Sequence, residues 1–333
     1  AMAGTFGALA FGLQHYRADM PWAGVLANRV GSERHAQMLR DGLRDSADWM
    51  GALMRVSHGD AAPASKKGAA LLPERHLGLV AAHELADSAQ RLDAAADALA
   101  ATPLGQMTAQ DLQRWAVDFP APDNTTPVPA LLAGRTVAVG RDAAFCFTYA
   151  ANLQTLEQLG ARVVFFSPLD DAALPECDAV WLPGGYPELH TDRIAANTGM
   201  KASLMAHVLQ RKPLWAECGG MMALFESITL TDGTQHPVWG LLPGHVTVHK
   251  RLAALGPQQL VVDGHTLRGH TFHYSTAQSD APVVSRTSRP DEPVAADAGE
   301  ALYRLGSIHA SYFHAWFPSS PVAVARLLGG VAA

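Results

Sequence analysis

Residues 213–225 read PLWAECGGMMALF, and the fold follows from how that run divides. Pro213 to Ala216 is a short apolar strand, Gly220 to Phe225 is helical, and Cys218 with its trailing Gly219-Gly220 stands between them. A strand that becomes a helix within so few residues makes a sharp turn and lifts one side chain to the carboxyl end of the sheet. The turn predicts an exposed Cys218 whose thiol pKa is lowered by the positive end of the following helix, which favours the nucleophilic thiolate. Gly219 adds a backbone N–H where a substrate carbonyl can approach closely. Taken without its turn, the same residue reads as a buried cysteine acting as a small hydrophobe, the commoner fate of cysteine. Cys146, between Phe145 and Phe147, and Cys177, in a Pro-Glu-Cys-Asp turn, have no glycine pair behind them and read as structural.

The same rhythm recurs on both sides of this turn. Residues 136–140 (TVAVG), 162–166 (RVVFF) and 179–182 (AVWL) are strand-like, while 149–159 and 204–210 are helical. Short apolar strands alternating with helices imply βαβ units and a mostly parallel sheet, an α/β fold whose chemistry gathers at the carboxyl ends of the strands. From Val238 onward, runs such as HVTVH (245–249) and IHASYFH (308–314) alternate with period two and predict additional antiparallel strands.

The first hundred residues predict a helix over 3–16, a buried strand over 22–27 with a polar exit at Asn28-Arg29, and a helix over 32–44 with Ser32 as N-cap. A short strand follows within 48–56, then a loop rich in Gly, Pro, Ser and Lys over 57–70, and a helix over 85–99 with one apolar face. Residues 120–130 (PAPDNTTPVPA) hold four prolines, a run that neither continues a helix nor sits inside a sheet, so the domain boundary is placed there.

Composition narrows the classes of function. The 333 residues suggest two domains or one large one, and 48% apolar against 17% charged residues is a globular composition. The net charge of −6, from 25 Lys and Arg against 31 Asp and Glu, offers no long-range attraction to nucleic acid or anionic lipid. Three widely spaced cysteines without a C-x-x-C pair argue against a disulfide framework or a structural zinc and fit a reducing cytoplasm. No run approaches the ~20 apolar residues that span a bilayer. The chain opens straight into a helical pattern, as if cut from something longer.

A cysteine nucleophile needs a base. His314 ends a strand-like run, and period-two counting puts it on the face of Ile308, Ala310 and Tyr312, with His309 on the opposite face. His245 with His249, and His270 with His273, lack a third ligand for zinc, and His83-Glu84 is no zincin because Asp87 stands where the second histidine belongs. The developing oxyanion needs donors, and Pro183-Gly184-Gly185, ending the AVWL strand, offers one to pair with Gly219.

Residues 145–190 (FCFTYAANLQTLEQLGARVVFFSPLDDAALPECDAVWLPGGYPELH), then AECGGMM, GHTFHYS and GSIHASYFH, resemble the cobyrinate or hydrogenobyrinate a,c-diamide synthases of corrinoid (vitamin B12) biosynthesis. LPERHLGLV (72–80), TFGALAFGL (5–13) and WAGVLANRVGSERH (22–35) resemble the later part of that family's ATP-binding domain. The resemblance implies a flavodoxin-like class I glutaminase domain with a mostly parallel sheet, preceded by the remnant of a P-loop, dethiobiotin-synthetase-like α/β domain. Residues 1–119 are then the C-terminal part of the synthetase domain, 120–133 a linker and 134–333 the glutamine amidotransferase domain. It further implies Cys218 as nucleophile, His314 as its activating base, and Gly185 and Gly219 as the oxyanion-hole amides. Asn28 is a candidate contact to the nucleotide base, and Arg75 and His76 are candidate substrate contacts. Glutamine, a corrinoid carboxylate, ATP and Mg²⁺ are the implied reactants, with a homodimer open.

Three departures from the family pattern qualify this. His314-Ala315-Trp316 has no carboxylate two residues after the histidine, so the third triad position is unfilled or supplied from elsewhere. Thr271 replaces the acid of the family's GHEFHYS, which predicts an altered substrate or domain contact. No G-x-x-x-x-G-K-[ST] occurs, although the family begins with that loop, so the chain resembles a truncated synthase that does not use ATP in the family manner by itself. Cobyric acid synthase, nickel-sirohydrochlorin diamide synthase, a non-catalytic scaffold for a P-loop chain, and a cysteine hydrolase acting on another amide or ester are the alternatives.

Overall fold

The computed structural model describes residues 2–55, 84–120, 128–295 and 298–330, with the backbone alone at 74–75 and 78–79. The chain divides into two compact units, Ala1–Asp123 and Asn124–Ala333. The loop expected over 57–70 lies outside the described residues. Among the described residues, no helix is long and apolar enough to cross a membrane.

In the first unit, the strands Val25–Val30 and Trp49–Met54 pair in parallel, and the helix Glu33–Asp41 crosses between them. Ser32 caps that helix, its Oγ accepting from His35 N at 3.2 Å. Phe6 from the helix Thr5–His15 joins Ala27, Val30, Ala36 and Leu39 in a small core. Two sequence expectations shift here. The first strand runs three residues later than the apolar run WAGVLA suggests, because its limits are set by pairing Val25 with Trp49 and Val30 with Met54. Asn28 is therefore inside the strand, at an irregularity where Arg29 has φ 59°, and not beyond its end. The helix Ser88–Ala100 forms, but none of its residues is buried, and Leu92 and Leu99 are exposed.

The second unit is built on a seven-stranded sheet in the order Val283–Arg286, Ala301–Leu305, Ile308–Ser311, Leu214–Glu217, Ala179–Leu182, Thr136–Gly140, Arg162–Phe166. The last five are mutually parallel, and Ala301–Leu305 runs antiparallel to both of its neighbours. The parallel strands are nearly all apolar because both faces are covered, and alternate residues feed opposite layers. Ala138, Val180, Leu182, Leu214 and Ala216 face one layer with Met200 and Leu204 of the helix Thr198–Leu209. Val137, Val139, Trp181 and Trp215 face the other with Leu156 of the helix Ala150–Gln158 and Val324 of the helix Pro321–Leu327. Trp181 and Trp215 are fully buried, positions where truncation to alanine typically costs ~3–5 kcal/mol.

Two smaller sheets flank this one, a four-stranded one containing His245–Val248 and Ser275–Gln278, and a three-stranded one made of Ala254–Val262, His265–His273 and His314–Ala315. The run 308–314, expected as one strand, is two. Ile308–Ser311 belongs to the main sheet, Tyr312 and Phe313 carry the chain out of it, and His314 pairs antiparallel with His270. Phe313 N–H donates to Ser311 Oγ at 3.2 Å, which stabilises the bend.

Candidate active site

The carboxyl ends of three neighbouring strands make the site. Ala179–Leu182 delivers Pro183-Gly184-Gly185, Leu214–Glu217 delivers Cys218, and Ile308–Ser311 leads to His314. Cys218 sits at φ 45°, ψ −108°, a left-handed-side conformation that costs a non-glycine residue about 1–3 kcal/mol. Its surroundings hold it there: Cys218 N–H donates to Ser311 O at 2.7 Å, and Met222 N–H donates to Cys218 O at 2.9 Å. The two glycines that follow are required by close approach. A Cβ on Gly219 would lie 2.8 Å from Gly185 N, and one on Gly220 2.3 Å from Leu182 O.

That contact sets Gly219 against the amide of Gly185, the two donors expected for an oxyanion. The Gly184-Gly185 segment is fixed on its far side, where Phe147 N–H donates to Gly184 O at 3.0 Å and Tyr186 N–H to Ala144 O at 2.9 Å. The Gly219 N–H also favours negative charge on the Cys218 sulfur.

His314 lies over Gly184, where a Cβ would come within 2.5 Å of its Cε1. The ring is 2% exposed and stacks on His270 with centroids 4.9 Å apart. Its Nδ1 is buried and has no hydrogen-bond partner. Burial lowers the imidazole pKa to about 3, assisted by His270 and His273. Cys218 is 5% exposed, and its thiol is pushed up, by burial first and then by Glu188, Glu217 and Glu300. This corrects the expectation of an exposed thiol with a lowered pKa. The following helix, Gly219–Met222, is a single turn, and its dipole is outweighed by desolvation. Burial thus favours the neutral form of both the thiol and the imidazole.

Several residues around this pair were not singled out in the sequence. Glu217 is 1% exposed; its Oε1 accepts from Trp215 Nε1 at 2.7 Å and from Ala315 N at 3.4 Å, and burial raises its pKa to about 8. Asn152 is fully buried, donates from Nδ2 to Ala315 O at 2.8 Å and accepts at Oδ1 from Phe317 N at 2.9 Å. Tyr312 bonds to Ser275 Oγ at 2.9 Å and stacks on His273, whose Nε2 is 3.0 Å from Glu300 Oε1. Thr271 is buried and donates to that same carboxylate at 2.8 Å, an internal contact within its unit. The GHTFHYS motif was the available signal for this network, but Glu300 has none. Beside His314 a pocket of about 450 Å³ opens, lined by Tyr149, Gln258, Arg268, His270 and Trp316 among others.

Of the remaining candidates, Asn28 is exposed in the first unit, and its Oδ1 accepts from the adjacent Arg29 N–H at 2.8 Å. The Arg75 side chain, His76 and His83 lie outside the described residues. Cys146 is half-buried, and Cys177 is buried with its sulfur 3.8 Å from His207 Nδ1. Among the described residues no group of three or more His, Cys, Asp or Glu is placed to hold a metal ion.

The glutamine amidotransferase domain model described as CobB/CobQ-like matches residues 136–322, which include Cys218 and His314. The chain is 45% identical over 328 residues to a hydrogenobyrinate a,c-diamide synthase of Pseudomonas aeruginosa, covering 98% of this chain and 71% of that protein. It is 47% identical to the protein of that name from Stutzerimonas stutzeri, over the same shares of the two chains. A cobyrinate a,c-diamide synthase of Herminiimonas arsenicoxydans is 39% identical, covering 98% of this chain and 70% of the relative. Matched over more than half its length by the amidotransferase model and over nearly all of it by these relatives, the chain belongs to the cobyrinate/hydrogenobyrinate a,c-diamide synthase family.

Proposed function

We propose that the chain hydrolyses glutamine at Cys218 and that the ammonia serves the amidation of the a and c carboxylates of cobyrinic or hydrogenobyrinic acid in vitamin B12 biosynthesis. Family membership supports a carbon–nitrogen ligase with glutamine as amido donor. One observation carries the glutaminase half: the Cys218 elbow packs Gly219 on the Gly185 amide while Gly184 supports the His314 ring.

Each proposed chemical step uses one of these groups. The Cys218 thiol gives its proton to the neutral His314 imidazole as sulfur bonds to the side-chain carbonyl carbon of glutamine. Making the ion pair only as the substrate carbon is attacked keeps an isolated charge out of a buried site. The carbonyl oxygen becomes an oxyanion between the Gly185 and Gly219 N–H groups, where one such donor is typically worth ~10²–10³ in turnover. Collapse breaks the C–N bond, the imidazolium returns its proton to the leaving nitrogen, and ammonia departs. Water, deprotonated by His314, then cleaves the glutamyl thioester to glutamate and restores the thiol.

ATP with Mg²⁺ is the proposed activator of the two carboxylates. The residues at hand do not fit that role: the chain has no phosphate-binding Gly-Lys-Ser/Thr loop, and the described residues offer no metal-binding cluster. Incubation with glutamine tests the glutaminase reading. The unaltered chain is expected to release glutamate, and Cys218→Ala and His314→Ala to release none. Release unchanged in Cys218→Ala would remove that sulfur as the nucleophile.

A further inference from the structure

His314 is held without a carboxylate on its ring. Nδ1 is buried and unpartnered, and no acid stands two residues later. The ring stacks on His270, and the peptide that follows it is anchored by side chains. Ala315 is gripped on both of its polar atoms, its N–H by Glu217 Oε1 and its C=O by Asn152 Nδ2. Asn152 then takes Phe317 N–H on its other atom, so one fully buried amide bridges the Ala315 and Phe317 peptides. Glu217 has a second anchor in the Trp215 indole two residues back on its own strand, which fixes the carboxyl against the core. It is also the residue immediately before Cys218.

We propose that Glu217 and Asn152 are positioning residues that together replace the missing third member of the catalytic triad, setting the His314 ring through the Ala315 peptide and not through Nδ1. The inference rests on the reading of Cys218 and His314 as the reacting pair. It follows from the topology. His314 has left the sheet that carries Cys218 and pairs with His270 in another; the ladder that sets Ser311 beside Glu217 stops three residues short of it, so the reacting groups need a further tie. Glu217 makes that tie directly, from the residue beside the nucleophile to the residue beside the base. Asn152 makes it from the helix Ala150–Gln158. A carboxyl held neutral by burial suits the task, because it accepts hydrogen bonds without placing a full negative charge next to the sulfur.

The inference predicts how side-chain changes separate. Glu217→Gln keeps an oxygen for Trp215 and Ala315 and should leave the pair working. Glu217→Leu fills similar space without an acceptor, and Asn152→Ala removes both of its bonds. Each should let the ring drift, and a misplacement of about 1 Å typically costs ~100-fold.

The test measures two rates on the full chain: glutamate release from glutamine, and alkylation of Cys218 by iodoacetamide, followed by mass spectrometry of the peptide containing it. The second needs no turnover and reports how readily His314 takes the thiol proton. Glu217→Gln is expected within about threefold of the unaltered protein in both rates. Glu217→Leu and Asn152→Ala are expected ten- to a hundredfold slower in both, with the KM for glutamine changed less than about threefold. The double variant is expected to be little worse than either single one, since both act on one peptide. Apolar variants that fold, by their circular dichroism, and alkylate at the unaltered rate would overturn the inference. So would Glu217→Gln failing as badly as Glu217→Leu, which would make the charge and not the hydrogen bond the active feature. The parent reading fails differently, through a His314→Ala protein whose Cys218 alkylates as fast as the original.

Discussion

An alanine at position 184 would place its Cβ 2.5 Å from Cε1 and 3.2 Å from Nδ1 of His314, and 3.2 Å from Cδ2 of Phe147. Gly184 does not have a positive φ, so the backbone accepts alanine without strain and the whole effect falls on two side chains. Carbon atoms in ordinary contact sit about 3.5–4.0 Å apart, so the His314 ring must retreat by roughly 1 Å. Overpacking of this kind costs about 1–3 kcal/mol, which in a unit of this size lowers the melting temperature by roughly 2–12 °C. If His314 is the base proposed for Cys218, the same displacement misplaces it, and the expected loss in kcat is ~100-fold with the KM for glutamine little changed. Glutamate release is to be measured well below the melting temperature, so that unfolded protein does not account for the loss. A folded Gly184→Ala protein with the original kcat would refute the placement of His314 as the base. A loss that disappears on cooling would show that the glycine serves stability and not catalysis.

Two further outcomes are expected. Gly185→Ala should be far more damaging to the fold than Gly184→Ala, because its Cβ would meet Ala144 O at 2.1 Å, a backbone atom that cannot rotate away; soluble yield on expression checks this. Stability should peak between about pH 4.5 and 6.5, measured by urea unfolding across pH. Burial lowers His314 from 6.5 to about 3, so its contribution is full above 6.5 and is lost as pH falls toward 3. Burial raises Glu217 from 4.5 to about 8, so its contribution is full below 4.5 and is lost as pH rises toward 8. Each is worth on the order of 4–5 kcal/mol over its range. Glu217→Gln should therefore flatten the alkaline side alone, and an unchanged alkaline slope in that variant would assign it to another group.

The parts of the site visible in the sequence are those written in consecutive residues. PLWAECGG carries its strand, its turn and its two obligatory glycines within eight positions, and AVWLPGG carries a strand and the loop that meets it. His314 was legible as a candidate because it closes an apolar alternation, but the face assigned to it by counting was not a property of one strand. The chain bends at Tyr312-Phe313, and His314 takes its place by pairing with His270 more than forty residues earlier. Thr271 read as a lost acid; only the fold shows Glu300, just before the strand Ala301–Leu305, meeting it and His273.

Amino-acid order alone determined that the C-terminal 200 residues form an α/β unit with a cysteine at a strand-to-helix turn, because apolar periodicity and glycine sterics are local. It also carried the family, since matching residues over most of the chain need no coordinates. Tertiary structure decided the electrical state of the site. Whether a thiol is a thiolate depends on how much water and charge surround it, and the sequence's helix-end argument yielded to burial that only packing reveals. It decided the support of the base as well. Glu217 and Asn152 lie 65 positions apart, and they share the Ala315 peptide only because the sheet and its covering helix fold back on each other.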